Sequence, residues 1–585
     1  MCTGIGLAAH PCRAQWFAEA TSGLGAPQPC KGSGCYSNYV LMADLDGDGD
    51  LDIAFANGGG YYQLGNAEPL ALYRNDGSGQ FTEMNALALG GFIGRLRQIA
   101  VGDVDGDGDL DLLAADSWGK QPDSLFINQS NFVFVDQGPL RLATSSRSAG
   151  ARFGDLDGDG DLDLALTDWG SKPYGSAGTA RVYVNNGQGY FVQLADAVTQ
   201  GTSAIGTGPI DIDLFDADGD FDLDMLLASR KGDSLFFRND GTGHFTDANA
   251  DLPDQPGPYV YGPDVCDVDG DGDLDLWLDN GGPNLQEQLL INDGQGHFAD
   301  QSLAQITGNS FADDNEVQCA DLDNDGDLDA VVASLSGVER TLFNNGVGHF
   351  SAVAGTFPAV SDSTLGLDFG DINGDGRLDA VTAQGEGGDF TNRLYLGTAE
   401  QPKDTHPPKI TRMQVLTLPT QPGKLVVRFA VADRHTTDAG PRLQSAHVLW
   451  APTQGLGTPT QVKARFVGGD LFWAELAPAA GTQVTWTACA IDPQGNQACS
   501  SPQVASLPAT TTPSLSDAGP GADAVAAEET AAQVTGSQRK GPQQTSSCSA
   551  YGGQVKPMAA VQALFVDLVS LVLLVRYRRR LANNS

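Results

Sequence analysis

The sequence predicts an all-β protein: an array of repeated β-hairpins, a shorter β module, a flexible linker and one C-terminal apolar helix. Three observations carry this reading. An acidic run of the form DLDGDGDLD recurs seven times, starting at Asp44, Asp103, Asp155, Asp216, Asp267, Asp321 and Asp371. Short apolar stretches of strand length flank the runs, such as LDIAFAN after the first and RQIAVGD before the second. After about residue 400 the runs stop, while alternating apolar stretches continue between Gly/Pro turns.

Composition narrows the function. The chain has 585 residues, with 33 Lys+Arg against 74 Asp+Glu and a formal charge of −41, so it will not seek nucleic acid phosphates or anionic lipid. An apolar content of 41% excludes a disordered polyanion. Nearly half of the acids lie in the seven runs, which leaves the remainder only mildly acidic. Their starts are 50 to 61 residues apart, a period close to that of propeller blades.

Five carboxylates within nine residues repel one another unless a cation compensates them. Oxygen-only ligands in a flexible loop point to a hard ion, and Ca²⁺ suits them better than Mg²⁺. In the first run Asp44, Asp46 and Asp48 would supply side-chain oxygens, Asp50 its carbonyl and Asp52 a closing carboxylate, with Gly49 permitting the sharp turn. The equivalent sets are Asp103, Asp105, Asp107, Asp109 and Asp111; Asp155, Asp157, Asp159, Asp161 and Asp163; and Asp216, Asp218, Asp220, Asp222 and Asp224. Next come Asp267, Asp269, Asp271, Asp273 and Asp275; Asp321, Asp323, Asp325, Asp327 and Asp329; and Asp371, Asn373, Asp375, Arg377 and Asp379. The competing reading is a solvated acidic turn. An EF-hand would need a carboxylate at position twelve, where these runs have Phe55, Ala114, Leu166, Leu227, Leu278, Val332 and Thr382. The loops are therefore tips of β-hairpins.

Most repeats continue with a third apolar run and a turn of the form NDGxGxF, as in RNDGSGQF and INDGQGHF, so one repeat reads as four strands. These residues resemble FG-GAP or VCBS repeat proteins, best known from the integrin α propeller, over about residues 14–400. The resemblance implies a seven-bladed β-propeller with up to seven Ca²⁺, one in the hairpin joining the two inner strands of each blade. The seventh repeat lacks an NDGxGxF strand, whereas RAQWFAEATSGL near the N-terminus matches the family's outermost strand, so residues around Trp16 and Phe17 are expected to complete blade seven. Three loops depart from the pattern. Phe221 replaces a glycine in the fourth, Asn324 replaces a glycine in the sixth, and the seventh is poorer in charge. Sites four and seven should be the weakest.

Residues 401–508 read as a β-sandwich and resemble bacterial immunoglobulin-like or fibronectin type III modules. Cys489 and Cys499 flank the DPQGN turn symmetrically, which predicts a cross-hairpin disulfide. Cys30 and Cys35 form a second close pair, while Cys266 and Cys319, on the innermost strands of neighbouring blades, read as buried thiols. Residues 509–547 have the composition of a flexible stalk. Residues 558–575 are largely apolar and are followed by Arg576, Arg578, Arg579 and Arg580, a membrane segment with a basic stop. Cys548, this helix and the arginines resemble the C-terminal sorting signals of myxobacterial surface proteins, which makes Cys548 the anchoring position; an ordinary tail anchor is the alternative. Residues 1–13 are too short in apolar length for a complete signal peptide and read as a possible remnant.

No GxSxG, HExxH or phosphate-binding glycine loop occurs, and His244, His297 and His349 recur at one repeat position, which marks them as structural. The sequence thus favours an extracellular, surface-anchored bacterial protein that binds calcium and a glycan or protein ligand in adhesion. A hydrolase or lyase built on the same scaffold is the alternative. The resemblance places the ligand on the face opposite the calcium hairpins, where Tyr61, Tyr62, Trp118, Trp169 and Tyr174 are candidate contacts.

Overall fold

The computed structural model describes residues 15–25, 30, 34–59, 65–118, 122–143, 147–168, 179–199, 208–230, 232–257, 259–386, 390–418, 420–433, 442–454 and 458–508. Expectations for residues 1–13, the linker 509–547, and the tail with Cys548 lie outside the described residues. Among those described, no helix is long and apolar enough to cross a membrane.

The protein is all-β. Among the described residues seven sheets of four antiparallel strands follow one another, and two of them gain a short fifth strand that pairs parallel. The first sheet shows the plan: Ser37–Ala43, Asp52–Asn57, Ala71–Asn75 and Phe81–Glu83 pair in that order. Its second strand, DIAFAN, is buried along its whole length. That burial requires apolar residues on both faces, because neighbouring sheets pack face to face. Leu41, Ala54 and Leu72 of the first sheet share a core with Ile99, Leu112 and Phe126 of the second. Similar cores join each successive pair, and a further one joins Val381 and Leu394 of the seventh sheet to Val40, Ile53 and Tyr73 of the first.

The seventh sheet has three strands from the end of the array and one from the start of the chain. Phe17–Glu19 pairs antiparallel with Arg393–Gly397, Phe17 opposite Gly397. Phe17 is fully buried and stacks on Phe357 with ring centroids 4.3 Å apart. The pairing covers an edge strand that would otherwise be open.

Beyond residue 408 two further sheets face each other. Lys409–Leu416, Leu425–Ala432, Leu471–Leu476 and Arg465–Phe466 form one, and the other is built around Ser445–Pro452 and Gln483–Ile491. Val427, Phe429, Val448, Phe472, Trp486 and Ala488 fill the core between them. Cys489 pairs with Cys499 across the hairpin, and Cys30 is joined to Cys35. The reading of Cys266 and Cys319 as separate thiols is corrected: they form a disulfide, with Cα atoms 6.6 Å apart. They belong to the inner strands Asp264–Cys266 and Asp314–Ala320 of neighbouring sheets, and inner strands converge enough to bring the two Cα atoms within disulfide reach.

Candidate metal centres

Each acidic run forms the hairpin between the first and second strands of its sheet. In the first, the carboxylate of Asp44 gathers the turn onto itself: Oδ1 accepts the backbone N–H groups of Gly47 and Asp48 at 2.8 and 3.1 Å, and Oδ2 accepts that of Gly49 at 3.0 Å. Gly49 has φ +94, a conformation that favours glycine. The fold brings ligand atoms of Asp44, Asp46 and Asp48 within 4.8 Å of one another, and likewise those of Asp103, Asp105 and Asp107, and of Asp155, Asp157 and Asp163.

The third position carries the most informative atom. Oδ1 of Asp46, Asp105, Asp157 and Asp218 is buried without a hydrogen-bond partner. In three of these residues the other oxygen faces an arginine: Arg74 at 4.0 Å from Asp46, Arg141 at 3.2 Å from Asp105 and Arg238 at 2.6 Å from Asp218. A buried carboxylate oxygen in a loop of further carboxylates, with no donor, is what a cation would satisfy. These donors fit a hard divalent ion such as Ca²⁺, which prefers six or more oxygens.

The ninth position closes the loop from inside the fold. Asp52 accepts N–H groups from Leu45 at 2.9 Å and Asn75 at 2.8 Å, and it and its six equivalents are all buried. Burial pushes Asp52, Asp224, Asp275 and Asp379 up to about 8 and Asp163 to about 9, with the backbone amides acting in the opposite direction. A nearby dication would favour their ionised forms. The seventh position does another job. The carboxylate of Asp50 lies against Gly77, where a Cβ would come within 2.5 Å of its oxygen, so the glycine of the NDGxGxF turn is required for close approach.

The asparagine of that turn was missed as a functional residue. In six sheets its side-chain amide donates to two carbonyls at 2.7–3.1 Å, one in its own acidic loop and one in the loop before it. Asn128, for example, joins Leu110 to Leu45, so neighbouring loops are clasped together. Its recurrence just after the third apolar run was the available signal. In the seventh sheet Gly397 occupies the same register, donating its N–H to Asp379 at 2.6 Å.

The departures have distinct surroundings. Arg377 of the seventh loop donates to Asp375 at 3.1 Å and to the Gln401 carbonyl at 3.0 Å, and Lys403 reaches the Asp375 carbonyl. Asn324 bonds Thr405 at 2.9 Å. The second module lies over the loop face, where Arg465 meets Asp161 at 2.9 Å, Gln494 meets Asp371 at 3.1 Å and Lys409 meets the Gly326 carbonyl at 2.9 Å. Of the candidate aromatic contacts, Trp118 is half-buried in a turn, its backbone N–H donating to Asp116 Oδ1 at 3.1 Å. Tyr61, Tyr62, Trp169 and Tyr174 lie outside the described residues.

A family model for an FG-GAP-like repeat matches residues 44–114, 103–166, 216–278 and 321–382. Each match runs from one acidic loop into the next, so together they cover all seven. No curated protein matches the chain.

Proposed function

We propose that this chain, which carries FG-GAP-like repeats, is a surface-anchored adhesion or ligand-binding protein built on a calcium-stabilised, seven-bladed β-propeller. FG-GAP repeats are found in adhesion and ligand-binding proteins. The seven consecutive sheets and the core between the seventh and the first support the propeller. The single observation that carries the calcium reading is the buried, partnerless Oδ1 at the third loop position, repeated in the first three loops at Asp46, Asp105 and Asp157. Calcium would be held by first-, third-, fifth- and ninth-position carboxylates together with the seventh carbonyl. It would neutralise the loops and fix the inner hairpins.

In this reading residues 401–508 are an immunoglobulin-like or fibronectin type III module, and the tail around Cys548 attaches the protein to the cell surface of a bacterium. The module covers part of the loop face, which leaves the opposite face for a glycan or protein ligand. Screening the purified full chain against glycan and protein arrays, with and without calcium, tests this function. Calcium-dependent capture of a defined ligand class is expected, and turnover of a polysaccharide or lipid without stable capture would replace the reading with an enzyme.

A further inference from the structure

The fourth acidic loop differs from the others in what covers it. Phe221 stands where the other six loops have glycine, with φ +73, a strained conformation for a bulky residue. At the same position in the first, second and fifth loops, a Cβ on Gly49, Gly108 or Gly272 would meet nothing within 4 Å. The hairpin itself therefore makes no demand for an aromatic ring. The ring of Phe221 is instead buried in a core that includes Val426, Val467 and Trp473 of the second module.

Two arginines of that module hold the ring and the loop together. The guanidinium of Arg412 lies 5.7 Å from the ring centroid and that of Arg428 5.4 Å, within cation–π range. Arg412 donates to Asp216 Oδ2 at 2.7 Å and pairs with Asp470 at 3.2 Å. Arg428 donates to the Phe221 carbonyl at 3.0 Å and to Asp222 at 3.2 Å. Asp216 Oδ2 thus accepts both Arg412 and the Phe221 N–H, whereas its counterpart in the first loop, Asp44 Oδ2, accepts the Gly49 N–H.

The charges can be compared directly. Among the described residues one arginine, Arg74, pairs with the first loop, and three, Arg238, Arg412 and Arg428, pair with the fourth. Both loops carry five aspartates. Arg412 also pairs with Asp470 and Arg238 with Asp251, so the net positive charge added at the fourth loop is smaller than that of one calcium ion, but it is placed directly on Asp216 and Asp222.

We infer that the fourth loop is a metal-free joint, in which Phe221, Arg412 and Arg428 fasten the second module to the propeller and the two guanidinium groups stand on loop carboxylates that face a cation elsewhere. The inference rests on the calcium reading for the other loops. Asp218 keeps the buried Oδ1 found in three other loops; what sets this loop apart is that Arg412 occupies the first-position carboxylate, Asp216 Oδ2, at 2.7 Å. Such a joint sets the module over the loop face whatever the calcium concentration, while the remaining loops respond to the ion.

Counting calcium per full-length chain by native mass spectrometry tests this. Asp48→Ala loses one ion relative to the parent, Asp220→Ala loses none, and the double variant Arg412→Gln/Arg428→Gln gains one. Loss of an ion in Asp220→Ala, or no gain in the double variant, overturns the joint while the calcium reading stands. If Asp48→Ala also loses no ion, the calcium reading falls and amide hydrogen exchange decides the joint. Phe221→Gly should then raise exchange at least tenfold across Lys409–Leu416, whereas unchanged exchange there overturns it.

Discussion

The side-chain amide of Asn75 donates to the backbone carbonyl of Ile372, 297 residues away in sequence, at 2.8 Å. The same amide donates to Leu51 of its own loop at 3.0 Å, so one carboxamide joins the first and last acidic loops. Five other asparagines repeat the arrangement between successive loops, and the positions of neighbouring candidate metal sites are mechanically linked through them.

Replacing Asn75 by Ala leaves both carbonyls without this donor and opens a small void. At about 1–3 kcal/mol for each of the two unsatisfied buried carbonyls, the variant should lose about 2–6 kcal/mol, read as a lower midpoint in urea unfolding. Asn128→Ala should behave alike. A loss under about 0.5 kcal/mol would show that the clasp is dispensable.

The N-terminal strand should be indispensable. Deleting residues 15–20 removes the partner of Arg393–Gly397 and the Phe17 ring from the stack with Phe357, so the truncated protein should aggregate on size-exclusion chromatography. Phe17→Ala should cost about 3–5 kcal/mol, as expected for truncating a buried phenylalanine. A monodisperse deletion variant of unchanged stability would contradict this role.

How much of this was legible in the sequence differs from element to element. The hairpins could be located because the acidic run is periodic and the residues beside it are apolar at strand length. Cys489 and Cys499 could be paired because they sit symmetrically about one turn. By contrast, the Cys266–Cys319 link joins separate repeats, and which inner strands converge, and how closely, depends on three-dimensional packing. Phe221 read only as a glycine replacement in one of the weakest sites, since the residues packed on it, Arg412, Arg428 and Trp473, come roughly 200 to 250 positions later in the chain and no local pattern connects them. Asn75 was hidden inside a motif that already had a sufficient explanation as a turn.

The disulfide between Cys266 and Cys319 should appear as a linked peptide pair in mass spectrometry of protein alkylated without reduction. Replacing both cysteines by Ser should lower stability by about 2–4 kcal/mol. Free alkylation of both thiols in the folded, unreduced protein would contradict the pairing.

Ligand binding, if it uses the aromatic side chains proposed for the opposite face, should be lost in the triple variant Tyr62→Ala/Trp118→Ala/Trp169→Ala, with calcium content and melting temperature unchanged. Wild-type capture by this variant would move the ligand surface to the second module.

The central claim is that calcium holds the inner hairpins, and the melting temperature of the purified protein with and without chelator tests it most directly. Each occupied loop should contribute roughly 2.7 kcal/mol when free calcium is one hundred times its dissociation constant, so EDTA should lower the melting temperature sharply and restored calcium should recover it. Equal melting temperatures in EDTA and in excess calcium would contradict the account.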